Sequence, residues 1–451
     1  MTIDIDPAVV RDDLQAKGVK YALANFVDVH GTCKGKAVPI SHLTSMAAGS
    51  ELYTGAAVDG VPQAVSDDEV ATIPDLSAGV VLPWNGDVAW FPSDLHLRGE
   101  PFTACSRGVL HRVVAEAAAL GLAPMMGMET EFMVMRRAED GTLHPVDAGD
   151  TLAKPCYDIP ALLHNLEVVT ELVESMNSLG WDVYSFDHED ANGQFETDFT
   201  YSDAVTMADR FVFFRLMAKE VCRRHGLEAV FLPKPFANRT GNGSHMNVSM
   251  ASLATGDNLF ATDDDPRGAG LSEVGYHFIG GVLRHAAAIC AVVAPTVNSY
   301  KRLVRRGNDS GFTWAPVFAC YGTNNRTNML RIPMAGARVE LRAADMSVNP
   351  YLGAAMLFAA GLEGIRDGVD PGEPHHENMY LYSDDELVKM GISYLPRTLL
   401  EAVEAFADDP LSRVVFGEDL FSSFIELKKQ EWESYHTAIS PWELAHYGRI
   451  Y

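Results

Sequence analysis

Carboxylates, amides and a histidine recur at alternate positions in several short stretches of the chain. Alternation matters because a β-strand turns successive side chains to opposite faces, so residues two apart share one. In Gly127-Met128-Glu129-Thr130-Glu131-Phe132, Glu129 and Glu131 point the same way. In His245-Met246-Asn247-Val248-Ser249-Met250 the shared face carries His245, Asn247 and Ser249. In Arg338-Val339-Glu340-Leu341-Arg342 it carries Arg338, Glu340 and Arg342. A further stretch runs from His188-Glu189 through Asn192-Gly193 to Gln194-Phe195-Glu196. Asn-Gly favours a two-residue hairpin turn in which both positions take positive φ. That turn sets Ala191 against Gln194, Asp190 against Phe195 and Glu189 against Glu196. Two facing carboxylates repel unless positive charge lies between them. A hard divalent cation such as Mg²⁺ or Mn²⁺ accepts carboxylate oxygens, and the softer Mn²⁺ also admits histidine. One such pair ordinarily marks a solvated strand face. Several in one chain, with Gly241 and Gly243 beside His245 allowing close backbone approach, indicate a metal and anion site inside a sheet.

The elements that must position these residues follow from patterning. Asp6-Pro7 ahead of Val9, Val10 and Leu14, then Gly18, predicts a capped first helix. Tyr21 to Val29 and Lys34 to Ile40 predict strands around a His30-Gly31 turn, with further strands over Glu69 to Ile73 and Val80 to Trp84. This β-rich region ends near Gly99 to Thr103. A helix follows from Ser106 to Leu120, stopped by Gly121, and strands then alternate with long helical stretches. Ala286 to Val297 is the most apolar segment, too short to span a bilayer, and predicts a buried helix. Asp419 to Tyr451 predicts an aromatic-rich helical end.

The chain has 451 residues, enough for two or three domains, and 47% are hydrophobic, enough for a sizeable core. Its formal charge of −26 makes nucleic acid and anionic membrane surfaces poor partners. An anionic substrate therefore needs a local arginine cluster. The six cysteines form no CxxC pair, which suits a reducing cytoplasm. Met1 to Asp6 is acidic and lacks the apolar stretch of a signal peptide.

At the same residues the chain resembles the glutamine synthetase family over nearly its whole length. GxExEF is similar to Gly127 through Phe132, and HHExxxGQxE to Asp187-His188-Glu189 through Gln194 and Glu196. The KPxxGxNGSGxHxHxS loop resembles Lys234-Pro235 through Gly241, Gly243, His245 and Ser249, and APTxNSYKRL stands intact from Ala294 to Leu303. NRSxxIRIP resembles Asn325-Arg326 to Arg331-Ile332-Pro333, and RxExRxxDxxxNPYL resembles Arg338, Glu340, Arg342, Asp345 and Asn349 to Leu352.

The resemblance implies an α+β fold: an N-terminal β-grasp domain, residues 1–103, and a catalytic domain, residues 104–451, with an antiparallel barrel-like sheet and surrounding helices. It implies ATP and two or more Mg²⁺ or Mn²⁺ ions, one held by Glu131, Glu189 and Glu196 and another by Glu129, His245 and Glu340. Arg302, Arg342 and the Gly241 loop would hold L-glutamate. Arg326, Arg331 and Arg338 would handle phosphates, with Ser249 near the adenosine. It further implies a homo-oligomer of stacked hexameric rings with sites between subunits, Asp28 being lent by a neighbour to hold the amine. The implied chemistry moves the γ-phosphoryl group of ATP to the glutamate side-chain carboxylate, and an amine then attacks the acyl phosphate with water excluded.

The sequence departs from the family at informative places. Ammonia-using members carry a glutamate just before an Ala-Pro after the KRL motif, where this chain has Trp314 before Ala315-Pro316. Trp314 is either a packing residue, or Asp309 supplies the missing carboxylate, or the amine site has become apolar to take an alkylamine. A tryptophan face attracts an alkylammonium by ~0.5–2 kcal/mol. The stretches Gly311 to Pro316, Lys154 to Tyr157 and Asp187 to Phe195 are similar to the branch that makes γ-glutamylmethylamide. The expected activity is ligation of glutamate to methylamine or another small alkylamine. The alternatives are ammonia as the amine, or a relative that has lost catalysis. Asn247 replaces a histidine near the nucleotide, and Tyr380 resembles a tyrosine adenylylated in some bacterial members, with different flanks.

Overall fold

The computed structural model describes residues 5–305 and 314–451. The first helix, Pro7–Ala16, begins where expected, with the Asp6 carboxylate accepting from the Ala8 amide at 2.8 Å. It packs on a four-stranded sheet ordered Cys33–Pro39, Tyr21–Val27, Asn85–Trp90, Val80–Leu82. Tyr21–Val27 pairs antiparallel with Cys33–Pro39 and parallel with Asn85–Trp90. A helix laid across such a mixed sheet is the β-grasp arrangement. Sequence patterning missed Asn85–Trp90, because Asn85-Gly86-Asp87 carries turn residues at its start. One face of the sheet builds a small core from Leu14, Ala22, Val38, Leu43, Met46 and Phe91, while Phe26, Leu82 and Trp90 join the main core.

A second four-stranded sheet, ordered Leu52–Tyr53, Val70–Pro74, Ser93–Leu97, Glu100–Pro101, lies in the same N-terminal region, and two larger sheets follow. One has six strands ordered Ser202–Asp203, Leu122–Met128, Met246–Ser252, Val339–Leu341, Asn328–Ile332, Phe318–Thr323. The other contains Leu143–Pro145, Thr130–Arg137, Gln194–Phe199 and Val183–His188, with Glu228–Val230 also on Thr130–Arg137. Glu129 is the joint between them, so the expected continuous strand through Glu129 is broken there and the sheets curl around it. The Glu129 amide still donates to the His245 carbonyl at 3.1 Å, which ties the joint to the neighbouring strand.

Helices cover the apolar faces. Ala204–Arg224, capped by Asp203, buries Phe211, Phe213 and Phe214, and Phe214 meets Phe132 edge-on with centroids 5.8 Å apart. Burying such a ring contributes roughly 1.5–3 kcal/mol and holds the strand so that Glu131 faces the other way. Pro350–Asp367 is buried along most of its length and capped by Asn349. It crosses Glu273–Arg284 so closely that a Cβ on Gly281 would lie 2.1 Å from the Ala360 carbonyl oxygen. Ala286–Val293 is buried as expected, and among the described residues no single helix is long and apolar enough to cross a membrane. The aromatic end divides into Glu418–His436 and Pro441–Tyr447, separated at a Ser440–Glu443 capping box.

Buried polar contacts tie the β-grasp unit to the scaffold. Asn349 Nδ2 donates to the Asp28 carbonyl at 2.8 Å and to Ser106 Oγ at 3.0 Å. Arg215 donates to the Met346 carbonyl at 3.0 Å, to the Val348 carbonyl at 3.2 Å and to the Gly31 carbonyl. Arg107 lies between Asp75, Asp94 and Asp209 at 3.0–3.1 Å.

The expected hairpin at Asn192-Gly193 is corrected. The register pairs Asp187 with Glu196 and His188 with Phe195, so Glu189 does not face Glu196. Gly193 has φ of 75° and the Gln194 amide donates to the Ala191 carbonyl at 2.8 Å, so a turn forms at the expected dipeptide, but Asn192 is not among the residues with positive φ and the two-residue hairpin register is not adopted. The physical reason is Asp150, whose buried carboxylate takes the Gly193 amide at 2.6 Å and the Asn192 side-chain amide at 2.7 Å. The chain opens into a wider loop from Glu189 to Gly193, closed by the Glu189 amide on the Gln194 carbonyl at 2.9 Å.

Candidate active site

Two overlapping sets of ligand atoms meet where the sheets join. Glu129, Glu131 and His245 form one, and Glu131, Glu189 and Glu196 the other, with the atoms of each set within 4.8 Å of one another. Glu131 belongs to both. Strand register explains the second set: Glu131 sits directly across from Glu196, and the wide loop returns Glu189 to the same place by another route. His245 Nδ1 bonds to Glu129 and lies 3.9 Å from Glu131 Oε1 and 3.8 Å from Glu340 Oε1. Glu340 is thus beside the first set, but its oxygens are taken by Arg342 and, at 2.6 Å, by Arg331. The Gly243 amide donates to Glu131 Oε2 at 2.6 Å. A Cβ at Gly243 would lie 2.6 Å from Arg302 Nη2 and 2.9 Å from Glu131 Oε1, so the backbone approaches as closely as the sequence suggested.

The electrostatics of the two sets differ. Burial and the neighbouring Glu131 push Glu189 up to about 8. Burial, then Glu129 and Glu131, raise Glu196 well above the ordinary carboxylate range. Burial and Glu129 push the adjacent Asp198 up to about 7, and burial brings Asp187 to about 6. Glu129 goes the other way: burial opposes its ionisation, but His245 beside it holds it down to about 2. The three-carboxylate set therefore lacks the positive charge that His245 gives Glu129. A hard divalent cation would supply that charge, and the carboxylate oxygens of the two sets, with the imidazole nitrogen of His245 in the first, are donors such a cation accepts.

Arginines line the same face. Arg302 is buried, with Nη2 3.4 Å from His245 Nε2 and 3.1 Å from the Arg342 carbonyl. Arg338 donates to Asn247 Oδ1 at 2.8 Å, and Asn247 donates to Glu129 Oε1 at 2.9 Å, so the residue that replaces a histidine joins an arginine to the acidic joint. Ser249 lies two residues further along the same strand and is half-buried. Gly241 accepts from Gln194 Nε2 at 3.0 Å. Arg326 is exposed, and its carbonyl accepts from Arg342 Nε at 3.2 Å.

Other expected residues stand apart. Asp28 is buried in the N-terminal hairpin, where its carboxylate accepts from the Thr32 amide at 2.8 Å and lies 3.5 Å from Lys34 Nζ. Trp314 is 60% exposed, open to a ligand or a partner, and Asp309 lies outside the described residues. The Tyr380 hydroxyl donates to the Ala315 carbonyl and is pushed up to about 12 by burial, so it is committed to packing beside the segment that carries Trp314. Sequence reasoning missed Asp150 and Ser244, and marked Cys156 only as part of Lys154 to Tyr157. Cys156 Sγ lies 3.9 Å from Glu189 Oε2, and Ser244 Oγ donates to the Glu129 carbonyl at 2.9 Å. Asp150 bonds to His188, 38 residues away in the chain, and no local pattern marks such a contact.

Comparison with known proteins agrees with this geometry. The family model for the glutamine synthetase catalytic domain matches residues 103–447. A protein named glutamate–methylamine ligase from Methyloversatilis universalis is 41% identical over 98% of this chain and 99% of its own length. A glutamine synthetase from Rhizobium meliloti is 40% identical over 98% of both chains. A solved structure described as a GmaS/ADP complex superposes with a TM-score of 0.90 at 40% identity, covering 99% of both chains, and apo GmaS gives 0.88. The chain belongs to the glutamine synthetase family.

Proposed function

We propose that this chain joins the side-chain carboxyl of L-glutamate to a small alkylamine, methylamine foremost, while ATP is cleaved to ADP and phosphate. The observation that carries the reading is the pair of acidic sets sharing Glu131 with four arginines on the same face. The likeness to a protein named glutamate–methylamine ligase, together with Trp314 where ammonia-using members have a glutamate, supports the choice of amine. Divalent cations, when bound by Glu131, Glu189 and Glu196 and by Glu129, His245 and Glu340, supply charge that draws electron density from the phosphoryl oxygens.

The protein's own residues do the rest in this reading. Arg302, Arg342 and the Gly241 backbone orient glutamate. Arg326, Arg331 and Arg338 hold phosphate oxygens, Arg338 being aimed through Asn247, and Ser249 with Asn247 flanks the nucleoside. The arginines spread charge as the carboxylate attacks the γ-phosphorus and the β–γ bridging oxygen leaves with the electron pair. The alkylammonium gives one proton to solvent, the amine nitrogen attacks the γ-carbonyl carbon, the phosphate leaves with the C–O electron pair, and the second nitrogen proton passes to that phosphate. Trp314 offers the alkylammonium an aromatic face before deprotonation.

The reading includes stacked hexameric rings in which Asp28 serves a neighbouring subunit, which requires its carboxylate, 2% exposed and accepting from the Thr32 amide at 2.8 Å, to be uncovered on assembly. The same reading divides the chain at residues 103 and 104 and places the enzyme in the cytoplasm. Initial rates of ADP release with glutamate, ATP and a panel of amines test it. Methylamine is expected to give a higher kcat/KM than ammonia, and Trp314→Ala to narrow the gap. A clear preference for ammonia overturns the alkylamine assignment, and failure to release ADP with any amine overturns the ligase.

A further inference from the structure

The segment just before Ile159–His164 wraps the loop that carries Glu189. Its centre is Asp150, whose side chain is 1% exposed. Three donors converge on that one carboxylate: His188 Nε2 at 2.8 Å, the Asn192 side-chain amide at 2.7 Å and the Gly193 amide at 2.6 Å. The wrap continues on both sides. The Leu152 carbonyl accepts from Asn192 at 3.1 Å, and the Tyr157 amide donates to the His188 carbonyl at 2.8 Å. Tyr157 has φ of 65°, which a bulky residue adopts only where its surroundings determine it. Asn192 also receives Arg239, and Thr240 donates to Asp190 at 2.7 Å, so the same loop is held to the turn ahead of Gly241.

Without Asp150, three buried donors would lose their acceptor and the turn at Asn192-Gly193, now closed by the Gln194 amide on the Ala191 carbonyl at 2.8 Å, would be free to convert to the two-residue hairpin form that the dipeptide prefers. That turn would change the register that now delivers Glu189 beside Glu131 and Glu196. We infer that Asp150 is a positioning residue for the three-carboxylate cation set: its contacts with His188, Asn192 and Gly193 hold the loop open and place Glu189. The inference rests on the ligase reading above insofar as that reading puts a cation there.

Mn²⁺ titration of the full-length protein, followed by electron paramagnetic resonance of free Mn²⁺ alongside thermal melting, tests it. Glu189→Gln identifies the class of Mn²⁺ sites that depends on Glu189. Asp150→Asn places an amide donor where a carboxylate oxygen took one, and is expected to weaken that class about tenfold or more. Asp147→Asn, which leaves all three Asp150 contacts in place, is expected to bind as the unaltered protein does. If Asp150→Asn does not fold, Asn192→Ala removes one of the three donors and is expected to weaken the same class by a smaller factor. Wild-type affinity in folded Asp150→Asn, or in Asn192→Ala if that is the variant measured, overturns the inference. So does an equal loss in both classes that tracks a lowered melting temperature, because that is a general structural effect. If the unaltered protein binds no Mn²⁺, the ligase reading itself fails.

Discussion

Removing divalent cations and restoring them across a pH series probes the charge imbalance at the sheet junction. Glu189 stands at about 8, against 4.5 for an ordinary glutamate. At pH 7 a group with that value is about 90% protonated, and a cation can use it only when ionised. Binding therefore expels most of a proton from Glu189, with further release from Glu196, which burial and its carboxylate neighbours also raise. Each displaced proton makes the apparent affinity rise about tenfold per pH unit below pH ~8. Calorimetric titration with Mn²⁺ in two buffers of different ionisation enthalpy counts these protons directly. The stripped protein has a matching signature. Because the folded value lies above the unfolded one, the stability linked to Glu189 is fully present below pH 4.5 and lost as pH rises toward 8. The slope is at most about 1.4 kcal/mol per pH unit for each such group. Added Mn²⁺ should suppress that decline. A proton count near zero at pH 7, with affinity independent of pH, would refute the assignment of this set to a cation.

Other perturbations have defined outcomes. Gly243→Ala puts a methyl group 2.6 Å from Arg302 Nη2 and should lower kcat/KM about 100-fold, since small displacements of reacting groups cost that much, while the melting temperature stays close to wild type. Wild-type kinetics in this variant would show that the close approach is incidental. His285 is buried between Asp409 at 2.7 Å and Glu363 at 3.0 Å; burial opposes its protonation, but the two carboxylates raise its pKa. Its stabilisation is complete below about pH 6.5 and lost as pH rises through the raised value. His285→Asn should lose about 3 kcal/mol near pH 6 in urea denaturation and progressively less at alkaline pH; a pH-independent loss would contradict this.

Legibility in the sequence followed the range of the interactions. Period-two alternation exposed Glu129 with Glu131 and the His245, Asn247, Ser249 face, because side-chain direction along a strand is a local property. The turn at Asn192-Gly193 was legible, but its form and the register of the flanking strands were not, because they depend on Asp150, whose contacts span 38 to 43 residues of chain. The break at Glu129 was equally hidden: its consequence, two sheets curling about one residue, depends on pairing with His245 more than 100 residues later. Asn85–Trp90 was missed for the opposite reason, a local turn signal sitting at the start of a strand that a parallel neighbour stabilises.

The contacts of Asn349, Arg215 and Arg107 also bear on how the protein can be divided. Asn349 caps a core helix with one end of its side chain and grips the Asp28 hairpin with the other. Arg215 reaches the same hairpin, and Arg107 holds Asp75 and Asp94 from below. A chain cut between residues 103 and 104 would strand those buried donors and lay open the apolar surface under Phe26, Leu82 and Trp90. The sequence boundary is therefore not a mechanical seam. A chimera that borrows the N-terminal unit of a relative keeps its fold only if the arginine and asparagine anchors travel with their acceptors as one inherited set.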